Sequence, residues 1–250
     1  MNFLKTPNLP QRGAVALVDN RCGSTYCEAL EKLGINLVLV PPSGNLYDAV
    51  SAHPDMAFHD LGEGNMIYEP AADTKVLKRL KDLGVNLIEG SSGLLPQYPK
   101  SVSYNAARVG DFVFHNFKYT DSILLQEIEK RALKKIHVNQ GYSKCSICIV
   151  DENSIITADT GIHRAATDNG IDSLLIPPQE KILLKGLDYG FIGGSTGKIS
   201  EDMLCIFGNI EKLTEWEKII SFVEERDVKV VSLGHGAVED FGSLIIIGEK

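Results

Sequence analysis

No stretch of this 250-residue chain stays apolar long enough to cross a membrane. Even the run 35–40 is broken by Asn36, whereas a spanning helix needs about 20 such residues. The opening Met1-Asn2-Phe3-Leu4-Lys5-Thr6-Pro7 lacks a basic start followed by a long apolar segment, so no signal peptide is expected. Positive charge is in short supply: 25 Lys and Arg against 33 Asp and Glu give a net charge of −8, which argues against a nucleic-acid surface. The five cysteines are odd in number and scattered, so no disulfide framework is expected and a reduced, cytoplasmic setting fits best. Cys145-Ser146-Ile147-Cys148 matches C-x-x-C, yet no second C-x-x-C or H-x-x-x-H follows. In an extended strand these two thiols would face opposite sides, which disfavours a zinc knuckle.

Phosphate-binding signatures are missing too. The most glycine-dense stretch, GFIGGSTGKI at 190–199, ends in a Gly-Lys pair but has Ile192 where a P-loop needs glycine and Ile199 where it needs Ser or Thr. The G-x-G-x-x-G fingerprint is absent, because Gly190 is followed by two non-glycines. No cofactor is expected.

What the sequence does contain is an ordinary globular composition, 44% hydrophobic and 23% charged, and a repeat. Leu33-Gly34-Ile35-Asn36-Leu37 is echoed by Leu83-Gly84-Val85-Asn86-Leu87 and again by Asn169-Gly170-Ile171-Asp172. In each case a helical pattern precedes the glycine and a short apolar strand follows, as a helix C-cap of positive φ requires. Paired strands are expected at 56–61 and 65–69, 103–108 and 111–116, 145–150 and 154–158, and 191–199 and 203–207. Helices are expected at about 72–83, 121–133, 160–169 and from Thr214, whose spacing to Glu217 suits a capping box. Strands at 86–89, 135–138, 173–176 and 229–233 close the units.

The N-terminal unit is one strand short, while the C-terminal segment 243–247 is left over. A ring in which the last strand completes the first unit removes both exposed edges. The expected layout is therefore one domain, 1–250, with repeats at approximately 13–42 plus 243–248, 53–91, 101–140, 143–178 and 188–234.

Five strand-strand-helix-strand units closed by the C-terminus resemble the pentein β/α-propeller, an α/β fold of pseudo-fivefold symmetry. Local strings add to the likeness: His53-Pro54-Asp55-Met56 with His59-Asp60, Gly141-Tyr142-Ser143-Lys144-Cys145-Ser146, and Gly190-Phe191-Ile192-Gly193-Gly194. They are similar to an uncharacterised bacterial branch of this guanidino-group-modifying fold, over nearly the whole chain after about Asn8. The superfamily includes arginine deiminases, amidinotransferases and dimethylarginine hydrolases, and also a non-catalytic ribosome-associated translation factor.

By that resemblance the first strands converge on the central axis, and His53, Asp55, Asn105, Cys145, Ser195, Asp240 and Ser243 come together there. The catalytic members use a cysteine from the last unit, a His-x-Asp or His-x-Glu pair from the unit before it, and carboxylates that clamp the guanidinium. Here no cysteine lies between His235 and Lys250, and the fourth unit has no His-x-Asp, so a standard deiminase mechanism is not expected.

The catalytic candidates are then Cys145, His53 and Asp55, where a thiolate attacks carbon and an imidazole or carboxylate moves protons. The opposing reading of Cys145 is a small buried hydrophobe. The ligand-binding candidates are Asn105, Gly193, Gly194, Ser195, Asp240 and Ser243, the glycines allowing close backbone approach. No metal is assigned, although His53 and Asp55 are ligand types. Cys148 and Cys205 are expected in the core, and His59 and Asp60 in a polar loop before a strand, with Asp60 capping the hairpin. The expected partner is a small cationic nitrogen-containing molecule in the central pocket, with no nucleic acid and no membrane; homo-oligomerisation is left open. The alternative is a non-catalytic protein-interaction module, as in the translation-factor branch.

Overall fold

The computed structural model describes residues 2–178 and 181–250. Strand β1 (Gly13–Asp19) leads through α1 (Gly23–Lys32) to β2 (Asn36–Val40), which lies parallel to β1. A helical turn, α2 (Pro54–Ala57), opens the second unit of β3 (Phe58–Gly62), β4 (Asn65–Tyr68), α3 (Thr74–Asp82) and β5 (Asn86–Glu89). The third consists of β6 (Ala107–Val109), β7 (Phe112–His115), α4 (Ser122–Lys130) and β8 (Lys134–His137). The fourth begins with the turn α5 (Ser143–Ser146), then β9 (Cys148–Asp151), β10 (Ser154–Thr157), α6 (Thr160–Asp168) and β11 (Asp172–Leu175). After the short β12 (Ile182–Leu183) comes the fifth unit, β13 (Thr196–Ser200), β14 (Met203–Ile206), α7 (Trp216–Glu224) and β15 (Lys229–Ser232). Strands β16 (Val238–Glu239) and β17 (Ile245–Glu249) end the chain.

Each of the last four units is a three-stranded sheet in which an antiparallel hairpin is extended by a parallel strand. The helix is the crossover a parallel neighbour demands. In the first sheet the hairpin partner comes from the far end of the sequence: β17 runs antiparallel to β1. Strands β12 and β16 form a small parallel pair that the sequence pattern does not announce.

The helix boundaries follow local chemistry. Asp73, Asp121 and Asp159 precede α3, α4 and α6, and their carboxylates accept backbone N–H groups of the first turn. Gly34, Gly84 and Gly170 follow α1, α3 and α6 with φ of 83°, 89° and 77°, as the repeated glycine requires. The capping box at Thr214 and Glu217 does not form; α7 starts after Glu215, which is left-handed at φ 59° and makes no side-chain cap.

Apolar packing joins neighbouring units pairwise. Leu17, Val38 and Ile245 of the first sheet pack with Phe58, Met66 and Leu80 of the second. Met56 and Ile67 meet Val113 and Leu124 of the third, and Phe114 and Ile136 meet Ile149 and Ile162 of the fourth. Ile156 and Ile176 pack against Leu204 and Val223 of the fifth. The fifth unit's Cys205, Phe207 and Leu233 then pack against Ala16, Leu30 and Ile246 of the first.

The strands begin later than expected. Residues 54–57 and 143–146 are helical turns, and 192–195 is also a turn, so the fifth unit's first strand starts at Thr196. Near the centre these segments have no ladder partner and close hydrogen bonds on themselves: Met56 N–H to the His53 carbonyl, Ser146 N–H to that of Tyr142, and Ser195 N–H to that of Phe191.

Candidate functional site

These turns, together with the segments that lead into β6 and β17, bring Asp55, Asn105, Cys145, Gly193 and Ser243 together. Close approach is possible because two successive residues of the turn before β13 carry no side chain. A Cβ on Gly193 would overlap the carbonyl oxygens of Lys144, Cys145 and Ile147, and one on Gly194 would strike the Asp240 carboxylate.

Cys145 Sγ lies 3.1 Å from Asp55 Oδ2, to which the thiol donates, and accepts from Asn105 Nδ2 at 3.2 Å. The same amide holds the floor of the site. Its Nδ2 donates to the Asp55 carbonyl at 3.0 Å, and its Oδ1 accepts the N–H groups of Lys144 and Cys145 at 2.9 and 3.3 Å. Ser243, at φ 72°, links the remaining charges: Lys144 Nζ donates to its Oγ at 2.9 Å, and its single proton is within reach of Asp55 Oδ2 at 2.9 Å and the Gly193 carbonyl at 3.1 Å. A non-glycine residue in the left-handed region is held there by its surroundings.

His53 stands beside this network. Its Nδ1 is 3.8 Å from Asp240 Oδ1 and its Nε2 is 3.9 Å from Asp19 Oδ2, both beyond hydrogen-bond range. Neither ring nitrogen, nor Asp55 Oδ1, has a hydrogen-bond partner among the described residues. Asp19 is gripped by Arg21 through Nε and Nη2, while Asp240 accepts the Phe191 and Gly242 N–H groups at 2.8 and 3.0 Å.

All of these groups except Arg21 are buried, and burial dominates their ionisation. It pushes the Asp55 carboxyl up against the pull of Lys144, and raises Asp240 to about 7, with Asp55 and Asp19 adding to the effect. The Cys145 thiol is held well above its ordinary range by burial and by the Asp55 and Asp240 charges, so the sulfur is protonated. Burial, with the Arg21 charge behind Asp19, drops His53 to about 3, leaving a neutral imidazole. Lys144 is pulled down by burial and held up by Asp55.

The sequence candidates thus divide. His53, Asp55, Asn105, Cys145, Asp240, Ser243 and the two glycines share one centre. Ser195 does not offer its hydroxyl, which donates to the Phe191 carbonyl at 2.8 Å. Cys148 and Cys205 are core residues, and Cys145 and Cys148 lie in different apolar clusters. Asp60 closes the β3–β4 hairpin by accepting the Gly62 N–H at 2.8 Å. Lys144, Asp19 and Arg21 are the participants that the sequence reading passed over. Lys144 sits beside Cys145 in a string already singled out, and Asp19 is the charged last residue of an otherwise apolar strand.

Asp240, itself buried, also borders a surface cavity. That cavity, of about 260 Å³, is lined by Arg21, Cys22, Lys185, Glu239, Asp240 and Phe241.

Comparison with known proteins gives the architecture a context. No curated protein matches the chain. Among solved structures, it is similar to inosamine-phosphate amidinotransferase from Streptomyces griseus (TM-score 0.63, 10% identity, 100% of this chain and 98% of that one). It also resembles an amidinotransferase of the saxitoxin biosynthetic pathway from Microseira wollei (0.54, 12%, 92% and 90%) and agmatine deiminase from C. jejuni (0.54, 8%, 91% and 90%). At such identities the likeness is one of fold, and the fold is that of the penteins. Residues 17–245 match the family described as "Family of unknown function (DUF6873)". With the match running over most of its length, the chain belongs to that family.

Proposed function

We propose that the chain is a single pentein domain, a closed five-bladed β/α-propeller whose centre binds a small cationic nitrogen-containing molecule of guanidino or amidine type. Closure is supported by the pairing of β17 with β1 and by apolar packing that runs from each unit to the next and from the fifth back to the first. The ligand reading is carried by one observation: the centre is short of positive charge. Asp55 and Asp240 are both buried and both pushed toward protonation, with Lys144 alone among them. A planar cation entering through the cavity at Asp240 relieves that cost, and a carboxylate is the natural two-point partner for a guanidinium.

Turnover, where it occurs, uses Cys145. Its thiol is protonated beside Asp55, so the sulfur is not a nucleophile until a cation offsets the neighbouring carboxylates. Attack on the ligand's central carbon would form a C–S bond, the thiol proton would pass to the displaced amine as the C–N bond breaks, and water would then hydrolyse the C–S adduct and restore the thiol.

Thermal-shift measurement and mass-spectrometric turnover against a panel of guanidino compounds and amidines test this reading. At least one compound is expected to raise the melting temperature of the wild type but not of Asp240→Asn, and Cys145→Ala is expected to bind without turnover. A panel that shifts nothing contradicts the reading.

A further inference from the structure

We propose that His53, Asp55 and Cys145 form a mononuclear site for a divalent transition metal of the zinc class. It extends beyond the guanidino reading and does not depend on it, since it rests on donor atoms rather than on the cavity at Asp240.

One ligand atom from each of these three buried residues lies within 4.8 Å of the other two. Donors around a tetrahedral zinc stand about 3.5 Å apart, so closing on an ion requires a shift of about 1 Å. The decisive feature is that lone pairs are available. His53 and Asp55 are each only 1% exposed, yet both ring nitrogens and Asp55 Oδ1 have no hydrogen-bond partner among the described residues. Buried polar atoms are seldom left in that condition, and an imidazole nitrogen and a carboxylate oxygen left without partners beside a thiol call for a ligand. The other oxygen of Asp55 is occupied by Ser243 and the Cys145 thiol, which leaves Oδ1 for the metal.

The surroundings are those of a metal site. Imidazole, carboxylate and thiolate together select a borderline-soft ion and disfavour Mg²⁺ and Ca²⁺. Behind His53, Nε2 faces Asp19 at 3.9 Å, itself fixed by Arg21, so the small shift that brings Nδ1 to an ion would have to close this gap for Asp19 to orient the ring as a carboxylate orients a metal-bound histidine. The charges also match. Asp55, Asp240 and a Cys145 thiolate oppose Lys144, and Asp19 is paired with Arg21. The surplus is two negative charges, which a dication cancels. Three protein donors leave one coordination position open.

The test uses the full chain, freed of metal with a chelator and titrated with Zn²⁺ by calorimetry and with Co²⁺ by absorption. One ion per chain is expected, and the Co²⁺ form should show a tetrahedral ligand-field spectrum with a thiolate-to-cobalt charge-transfer band. Cys145→Ser should lose that band, Cys148→Ser should keep it, and His53→Ala should weaken binding about 100-fold or more. Absence of stoichiometric binding overturns the proposal, as does a charge-transfer band that survives Cys145→Ser. Should His53→Ala fail to fold, the two cysteine variants decide. A guanidino compound that stabilises the chelated protein while no metal binds would remove this proposal and leave the ligand reading standing.

Discussion

Asp240 shows how one buried carboxylate ties stability to pH. Its folded-state pKa, raised by burial to about 7, lies above its ordinary value of 3.8, so the folded form holds its proton more tightly than the unfolded chain. Its contribution is full below pH 3.8 and is lost as pH rises through about 7. Asp240→Asn removes the titration. Between pH 4 and pH 8 the wild type should lose up to about 4 kcal/mol relative to this variant in denaturant titrations. A constant difference would show that the carboxylate is not desolvated as described.

Other residues at this scale were legible only in kind. Glycine density at 190–197 pointed to a crowded place, and Gly193 and Gly194 do stand where side chains would collide. Gly193→Ala should destabilise by about 2 kcal/mol or more, whereas Gly44→Ala, with open space around it, should cost nothing measurable in thermal unfolding. Lys144 could not be read from the sequence, because lysine is ordinarily a solvent residue and only the assembled centre supplies Ser243 and Asp55 to receive it. Ser195 shows the converse: a local turn consumes the hydroxyl that the sequence made available.

Among elements, helices and their punctuation were the most readable, since caps and C-terminal glycines are local chemistry. The starts of the first strands were not, because they depend on which neighbours can continue a ladder. Asp121 does more than cap. One oxygen holds the Ile123 and Leu124 N–H groups while the other takes the Ser91 and Ser92 N–H groups and the Ser91 hydroxyl. Asp73 only caps, through the N–H groups of Lys75 and Val76. Asp121→Ala should therefore cost about 3 kcal/mol against about 1 for Asp73→Ala in chemical denaturation. Equal losses would mean that the loop anchor adds nothing.

For the whole molecule, the leftover strand was the informative anomaly in the sequence, and β17 does pair with β1. It also delivers Ser243 to the centre and Ile245 and Ile246 to the packing of the first unit with its two neighbours. Removing residues 243–250 should thus abolish cooperative unfolding altogether rather than trim stability, as followed by circular dichroism. A truncated chain that still melts in one sharp transition would argue against a closed propeller. What the sequence could not yield is the charge balance of the centre, because it sums groups from positions as distant as Asp19 and Asp240.

That balance is what calorimetry can test most directly. Titration of a guanidino or amidine ligand at pH 7, in two buffers of different ionisation enthalpy, counts the protons exchanged on binding. A cation seated at Asp240 lowers the carboxyl's pKa from about 7 and drives its proton into solution, so proton release is the expected result, lost in Asp240→Asn. Binding without proton release, or no binding across the panel, would contradict the central claim that this buried acidic centre is built for a cation.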